Sequence, residues 1–153
     1  MFLIGINHEV QYTNEYTDVS LNQAFAKYLG EQSERFNVTL IAEEFNIEAG
    51  SRSRATAYTA KDVADKLGIG HRFCDPNSSE RKALGIPREQ ESRDKNFRMR
   101  EQFWFDKIKD KLREPIIFIC GSDHVEHFQS LVLNKSYEVT ILVKNWCERE
   151  KDI

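Results

Sequence analysis

The stretch PIIFICGSDH, residues 115–124, decides the fold. Its apolar residues follow one another without alternation, which is typical of a strand that is buried on both faces of a sheet. The apolar run stops at Gly121, and a helical pattern then continues through about Leu133. A buried strand that leads directly into a helix is the unit from which parallel α/β sheets are built.

The rest of the chain repeats this alternation of short apolar runs and helical patterns. It predicts further strands at Phe2–Ile6, Val38–Ala42, His71–Cys74 and Tyr137–Val143, and helices over residues 18–36, 59–68 and 89–113. Residues 50–57 (GSRSRATA) are predicted to be a loop, with Thr59 as the cap of the next helix. The sequence therefore predicts a single α/β domain over residues 1–153, with a mostly parallel sheet of about five strands and helices on both faces.

The composition excludes several classes of protein. Hydrophobic residues make up 40% of the chain, which is typical of a folded protein. The 22 basic and 25 acidic side chains leave a net charge of −3, so a nucleic-acid partner is not expected. The apolar runs are far shorter than the roughly 20 residues that cross a bilayer, so no membrane partner is expected either. Three cysteines without CxxC spacing favour a reducing, cytoplasmic compartment.

Ionisable residues stand at the carboxyl ends of four predicted strands, where open parallel sheets bind their ligands. The four ends are Gly5-Ile6-Asn7-His8, Glu43-Glu44, Asp75 and Gly121-Ser122-Asp123-His124. Two of them share a G-x-x-H spacing, in which glycine permits a turn or a close backbone approach. Imidazoles and carboxylates at one edge would suit acid–base catalysis or a metal ion. Solvation of strand ends is the alternative explanation for the same polar residues.

Arg100 lies on the apolar face of the long predicted helix, between Phe97 and Trp104. An unpaired charge that faces a core costs several kcal/mol, so an acidic partner is expected, with Glu43 as the first candidate. Two alternatives are a guanidinium that reaches solvent along its apolar stem and a local surface pair with Glu101.

A basic segment offers a second kind of site. Residues 81–113 carry 11 basic and 6 acidic side chains, and Arg52 and Arg54 lie on the predicted loop. Together they would present a positive edge to an anionic small molecule, although a solvated helix face explains the same pattern. The predicted substrate-binding residues are Glu44, Arg52, Arg54, Asp75 and Asp123.

The strand-end motifs resemble those of the TraB/PrgY and Tiki group, within the erythromycin esterase and ChaN-like superfamily. The similar segments are Gly5–His8 (GINH), Leu40–Glu43 (LIAE) and Ile119–His124 (ICGSDH), and Arg100–Trp104 would fill the family's arginine position. Tiki-like members cleave peptides with a metal ion. Esterase-like members activate water with a His/Glu pair and no obligatory metal, and ChaN-like members bind haem.

The resemblance implies a catalytic site of His8, Glu43, Arg100 and His124, and with it a small hydrolase-like domain. One histidine would act as general base on water, Glu43 would orient the imidazole, and Arg100 would keep Glu43 ionised. Alternatively, His8, Glu43 and His124 would bind a divalent ion of the zinc or manganese class that activates the water. Two further hypotheses are a binding module for an anionic small molecule such as a nucleotide, and a structural or partner-binding domain.

Overall fold

Strands and helices alternate along the computed structural model, which describes residues 1–146. The strands are β1 (Phe2–Ile6), β2 (Tyr12–Thr13), β3 (Leu40–Glu43), β4 (Ala57–Tyr58), β5 (Gly70–Phe73), β6 (Ile116–Gly121) and β7 (Thr140–Val143). The helices are α1 (Val19–Arg35), α2 (Ile47–Arg52), α3 (Thr59–Leu67), α4 (Ser78–Leu84), α5 (Arg93–Ile108) and α6 (Val125–Asn134). Short 3₁₀ turns cover His8–Val10, Lys109–Lys111 and Ser122–His124.

Five of these strands form one parallel sheet in the order β5-β3-β6-β1-β7. Every residue of β3 and β6 is buried, which explains why their apolar runs do not alternate. The predicted α/β class and the predicted five-stranded parallel sheet are therefore confirmed. No helix within residues 1–146 is long and apolar enough to cross a membrane.

Separate apolar cores cover the two faces of the sheet. On one face, Phe25 of α1 and Val63 of α3 pack in a cluster with Ile4 and Ile117. On the other face, Trp104 of α5 and Phe128 of α6 pack in a cluster that takes its sheet residues from the alternate positions, such as Leu3 and Phe118. Helices on both faces follow from the right-handed crossovers that parallel strands require.

Residues 50–57 are the loop that their composition predicts only at positions 53–56. They contain the end of α2 and the start of β4, and β4 pairs antiparallel with β2. The signal for α2 lies upstream of this segment, because the Asn46 side chain accepts a hydrogen bond from the backbone N–H of Ala49 and caps the helix.

Helix boundaries also differ from the predicted ones. The N-cap of α3 is Tyr58 instead of Thr59, and its side chain makes no capping hydrogen bond. The long helix is shorter than residues 89–113, because α5 begins at Arg93 and its end at Ile108 passes into a 3₁₀ turn. Fraying and tightening of terminal turns are local effects that hydrophobic periodicity does not register.

Cys74 and Cys120 are free thiols in the protein interior, while Cys147 lies outside the described residues. Burial raises the pKa of Cys74 to about 12 and the pKa of Cys120 well above its usual value. The reactive thiolate is therefore scarce at neutral pH. We expect iodoacetamide to leave both residues unmodified in the folded protein and to alkylate both after denaturation. Peptide mapping by mass spectrometry measures this, and rapid modification of either residue under native conditions would contradict it.

Candidate functional site

The carboxyl ends of β3, β6 and β1 meet at one edge of the sheet. These strands are neighbours, and their register pairs Ile6 with Gly121 and Glu43 with Ile119. The residues that follow the three strands therefore leave the sheet side by side. This arrangement brings His8, Glu44 and His124 to the same place, as the strand-end pattern predicts.

Glu44 is the residue on which the other side chains converge. Its carboxylate is 3% exposed, with Oε1 accepting from Arg100 Nη2 at 2.5 Å and Oε2 from the backbone N–H of Gly121 at 2.7 Å. The same Oε1 lies 3.5 Å from His124 Nε2 and 3.7 Å from His8 Nε2. Two imidazoles and a guanidinium thus surround a single carboxylate oxygen.

Arg100 is buried and makes a second ion pair, with Asp75. Its Nε donates to Asp75 Oδ1 at 2.9 Å, and Arg81 Nη2 donates to Asp75 Oδ2 at 2.6 Å. Burial opposes the charge on Arg100, but the carboxylates of Asp75 and Glu44 outweigh it and raise the pKa of the guanidinium. The expected pair with Glu43 is therefore wrong, and so is the alternative of a guanidinium that reaches solvent.

The two imidazoles are each held through Nδ1 but differ in their surroundings. His8 Nδ1 lies 2.7 Å from Gln11 Oε1, and His124 Nδ1 lies 2.7 Å from Glu101 Oε1. The ring of His124 is buried, with its centroid 3.8 Å from that of Phe97, whereas the side chain of His8 is 51% exposed. Only His8 is therefore open to solvent and to a substrate.

Glu43 lies apart from this cluster, although the resemblance makes it a catalytic residue and a metal ligand. It is fully buried, its Oε1 lies 2.8 Å from His71 Nε2, and its Oε2 accepts from Gln11 Nε2 at 2.9 Å. Glu43 is the last residue of β3, whereas Glu44 lies in the bend that follows, where the Phe45 N–H donates to the Glu43 carbonyl oxygen, and only Glu44 contacts Arg100. Within residues 1–146, no group of three or more His, Cys, Asp or Glu side chains is arranged to hold a metal ion.

A cavity of about 550 Å³ opens over the cluster. Its walls include His8, Glu44, Arg81, Phe97, Arg100, His124 and Asn145. The Oδ1 atom of Asn145 is buried and has no hydrogen-bond partner in the part of the chain that the structure describes. The cavity therefore combines an open imidazole, a buried carboxylate and guanidinium groups in a space that accommodates a small molecule.

The other predicted binding residues divide into two groups. Asp123 lines the cavity and pairs with Arg93 at 2.8 Å, and Asp75 lies behind it as the second partner of Arg100. Arg52 and Arg54 are exposed and are not among the residues that line the cavity, and Arg52 pairs with Glu48 on its own helix. The positive groups at the cavity wall are instead Arg81 and Arg100, from the same basic segment.

The glycines of both G-x-x-H motifs lie where a Cβ would meet neighbouring atoms. A Cβ on Gly121 would lie 2.8 Å from His8 Nε2, so the second motif's glycine accommodates the first motif's imidazole. A Cβ on Gly5 would lie 1.8 Å from the Lys144 carbonyl oxygen and 2.6 Å from Cγ2 of Val125, the residue after His124. Gly121 therefore makes room for His8 of the first motif, whereas Gly5 makes room for the backbone that follows β7 and for Val125.

Three residues around the site escape prediction from the sequence: Gln11, His71 and Glu101. Gln11 lies three residues after His8, a spacing that one helical turn brings together, and this is the only local signal for it. Glu101 is next to Arg100 in sequence but holds His124. His71 reaches Glu43 across the β3–β5 pairing, which only the strand order reveals.

Comparisons with known proteins return no match, whether to family models, to curated proteins or to solved structures. The resemblance to the TraB and erythromycin esterase groups therefore stays a prediction, and the site is interpreted from its own geometry.

Proposed function

We propose that the cavity is the active site of a hydrolase that acts on a small ester by acid–base activation of water. One observation carries this proposal: two imidazole Nε2 atoms lie within 3.7 Å of the same buried carboxylate oxygen, at the base of an open cavity. Arg100 and the Gly121 N–H already bind the Glu44 carboxylate. The two imidazoles add to these contacts the groups that transfer protons near neutral pH.

In the proposed reaction, His8 Nε2 takes a proton from a water molecule as the water oxygen attacks the ester carbonyl carbon. The positive charge that forms on His8 is stabilised by Glu44, whose carboxylate lies 3.7 Å away. When the carbon–oxygen bond to the leaving group breaks, His8 returns the proton to the departing alkoxide. The products are a carboxylic acid and an alcohol, and His8 is again neutral.

Other residues of the cluster hold the Glu44 carboxylate in position or lie where they can stabilise charge during the reaction. Arg100 holds the Glu44 carboxylate in place, because it donates to Oε1 while the Gly121 N–H donates to Oε2. The His124 ring lies between the carboxylates of Glu44 and Glu101, with one ring nitrogen towards each. Arg81, which is partly exposed at the cavity wall, is placed to bind negative charge that develops on the carbonyl oxygen.

The divalent metal that the resemblance implies does not fit these residues. The carboxylate oxygen nearest to both imidazoles already binds the Arg100 guanidinium, which places a positive charge where the ion would bind. The carboxylate of Glu43 is engaged by Gln11 and His71. The proposed reaction therefore uses side chains alone.

A screen of nitrophenyl carboxylic esters, phosphoesters and chromogenic peptides tests the proposal, with His8→Ala and the matched control His127→Ala. His127 is exposed and does not line the cavity. We expect ester hydrolysis by the wild type, a loss of about 100-fold or more in kcat/KM for His8→Ala, and no change for His127→Ala. Absence of ester hydrolysis, or equal rates in wild type and His8→Ala, would refute the proposal.

Treatment with a chelator distinguishes activation of water by side chains from activation by a metal ion. We expect hydrolysis to survive dialysis against EDTA, and a loss that Zn²⁺ or Mn²⁺ restores would favour the metal hypothesis instead. Compounds from the screen that raise Tm without being hydrolysed would identify a binding module.

Replacement of Gly121 by alanine tests the contact between the two motifs. The added Cβ would meet the end of the His8 ring, and this half-exposed side chain moves aside more easily than backbone does. We therefore expect a loss of no more than about 2 kcal/mol in the free energy of unfolding, together with a loss of about tenfold or more in kcat/KM. Denaturation and kinetics measure the two effects. Full activity in Gly121→Ala would contradict the placement of His8.

A further inference from the structure

We infer that Gln11, anchored by Glu43, positions His8 and fixes which of its nitrogens carries the proton. The inference rests on the proposed function for its meaning in catalysis, but its structural basis is independent. Gln11 is fully buried and lies between Glu43 and His8, with contacts of 2.9 Å and 2.7 Å to their side chains.

The amide of Gln11 has only one favourable orientation. Its Nε2 donates to Glu43 Oε2 at 2.9 Å and to the backbone oxygen of Glu44 at 3.1 Å. The backbone oxygen of Glu44 only accepts, and so does a carboxylate, so a flipped amide would place its oxygen against two acceptors. The oxygen of Gln11 therefore faces His8.

The orientation of Gln11 determines the tautomer of His8. Because Gln11 Oε1 only accepts, the nitrogen 2.7 Å from it, His8 Nδ1, carries the hydrogen. In the neutral ring, Nε2 then has a free lone pair, and Nε2 is the atom that lies 3.7 Å from Glu44 at the cavity. An unprotonated Nε2 at the cavity is what the proposed reaction needs from His8.

The backbone around Gln11 is held on both sides. The side chain of Asn22 in α1 donates to the carbonyl oxygens of Val10 and Tyr12 at 3.0 and 2.9 Å. The carbonyl oxygen of Gln11 itself accepts from the backbone N–H of Thr59 at 3.0 Å. The position of Gln11 is thus set by the two helices that cover this face of the sheet.

Glu43 acts at the far end of this chain of contacts. Its Oε1 is held by His71 Nε2 at 2.8 Å, which leaves Oε2 to receive the Gln11 amide. The Glu43 carboxylate holds the Gln11 amide, and the amide in turn orients the His8 imidazole. In a serine protease triad a carboxylate orients the imidazole directly. Glu43 and Gln11 are therefore positioning residues, whereas His8 is the group that meets the water.

Long-range ¹H–¹⁵N correlation spectra of the imidazoles test this directly, at a pH where the rings are neutral. In the wild type we expect His8 to show a protonated Nδ1 and an unprotonated Nε2. In Gln11→Met, which is similar in length but lacks the acceptor, we expect a shift towards the Nε2–H form that free imidazole prefers. His124, held by Glu101, and the exposed His127 serve as internal controls and keep their wild-type signals.

Steady-state kinetics of ester hydrolysis provide a second measurement. We expect Gln11→Met to lower kcat about 10- to 100-fold with little change in KM. An Nε2–H form of His8 in the wild type would overturn the inference. This measurement uses the wild-type protein alone, so it does not depend on whether a variant folds. An unchanged His8 signal in folded Gln11→Met would also overturn it. The expected tautomer in a protein that hydrolyses nothing would support the positioning contact while refuting the proposed function.

Discussion

Replacing Arg100 by methionine is expected to lower the free energy of unfolding by about 3–5 kcal/mol, because it leaves the buried carboxylate of Glu44 without its guanidinium partner. The side chain of Glu44 is 3% exposed and would lose its guanidinium, whereas Asp75, at 7% exposure, would keep its pair with Arg81. Methionine fills a similar volume, so the loss of stability measures the effect of the unpaired charge and not that of a cavity. Urea denaturation at neutral pH, followed by circular dichroism, measures the change.

The matched control is Arg98→Met, because Arg98 is exposed on the same helix. We expect it to change the free energy of unfolding by no more than about 0.5 kcal/mol. A cycle that combines Arg100→Met with Glu44→Gln should show strong non-additivity, since the two side chains are in direct contact. Additive losses, or a loss for Arg100→Met as small as that of the control, would contradict the buried ion pair.

Replacing Gly5 by alanine is expected to cost about 3 kcal/mol or more, or to prevent folding altogether. The new Cβ would lie 1.8 Å from the carbonyl oxygen of Lys144, and backbone cannot rotate away as a side chain can. Relief would require β1, which lies between β6 and β7 in the sheet, to shift against its neighbours. Thermal and chemical denaturation measure the loss.

The same substitution at Gly30 is expected to raise the stability of the protein. Gly30 lies within α1, and a Cβ there would have nothing within 4 Å. Alanine restricts the unfolded chain and favours the helix, so we expect a gain of about 0.5–1 kcal/mol. Wild-type stability in Gly5→Ala would contradict the close approach of the Lys144 carbonyl oxygen to Gly5.

The fold is predictable from the sequence where burial dominates. The run at residues 115–120 and the segment Phe2–Ile6 become β6 and β1, because strands covered on both faces need unbroken apolar sequence. Short elements at the surface are not predictable in this way. The segment at residues 50–57 depends on the Asn46 cap and on pairing with β2, which are contacts outside the segment.

The place of the site is more predictable than its contacts. Parallel strands end at one edge, so the histidines of both G-x-x-H motifs are expected to meet there. The choice between Glu43 and Glu44 depends on which side of the chain each carboxylate faces where β3 ends. The spacing of a single segment does not determine this, and the partners Gln11, Glu101 and His71 become visible only when helices and strands are packed together.

The most direct test of the central claim compares the four imidazoles in wild-type and Glu44→Gln protein by NMR. If both imidazoles contact the Glu44 carboxylate, the ring signals of His8 and His124 both shift when the charge of Glu44 is removed. The signals of His127, which lies outside the cavity, stay in place. A spectrum in which only one of the two rings responds, or neither, would contradict the convergence on which the proposed hydrolase depends.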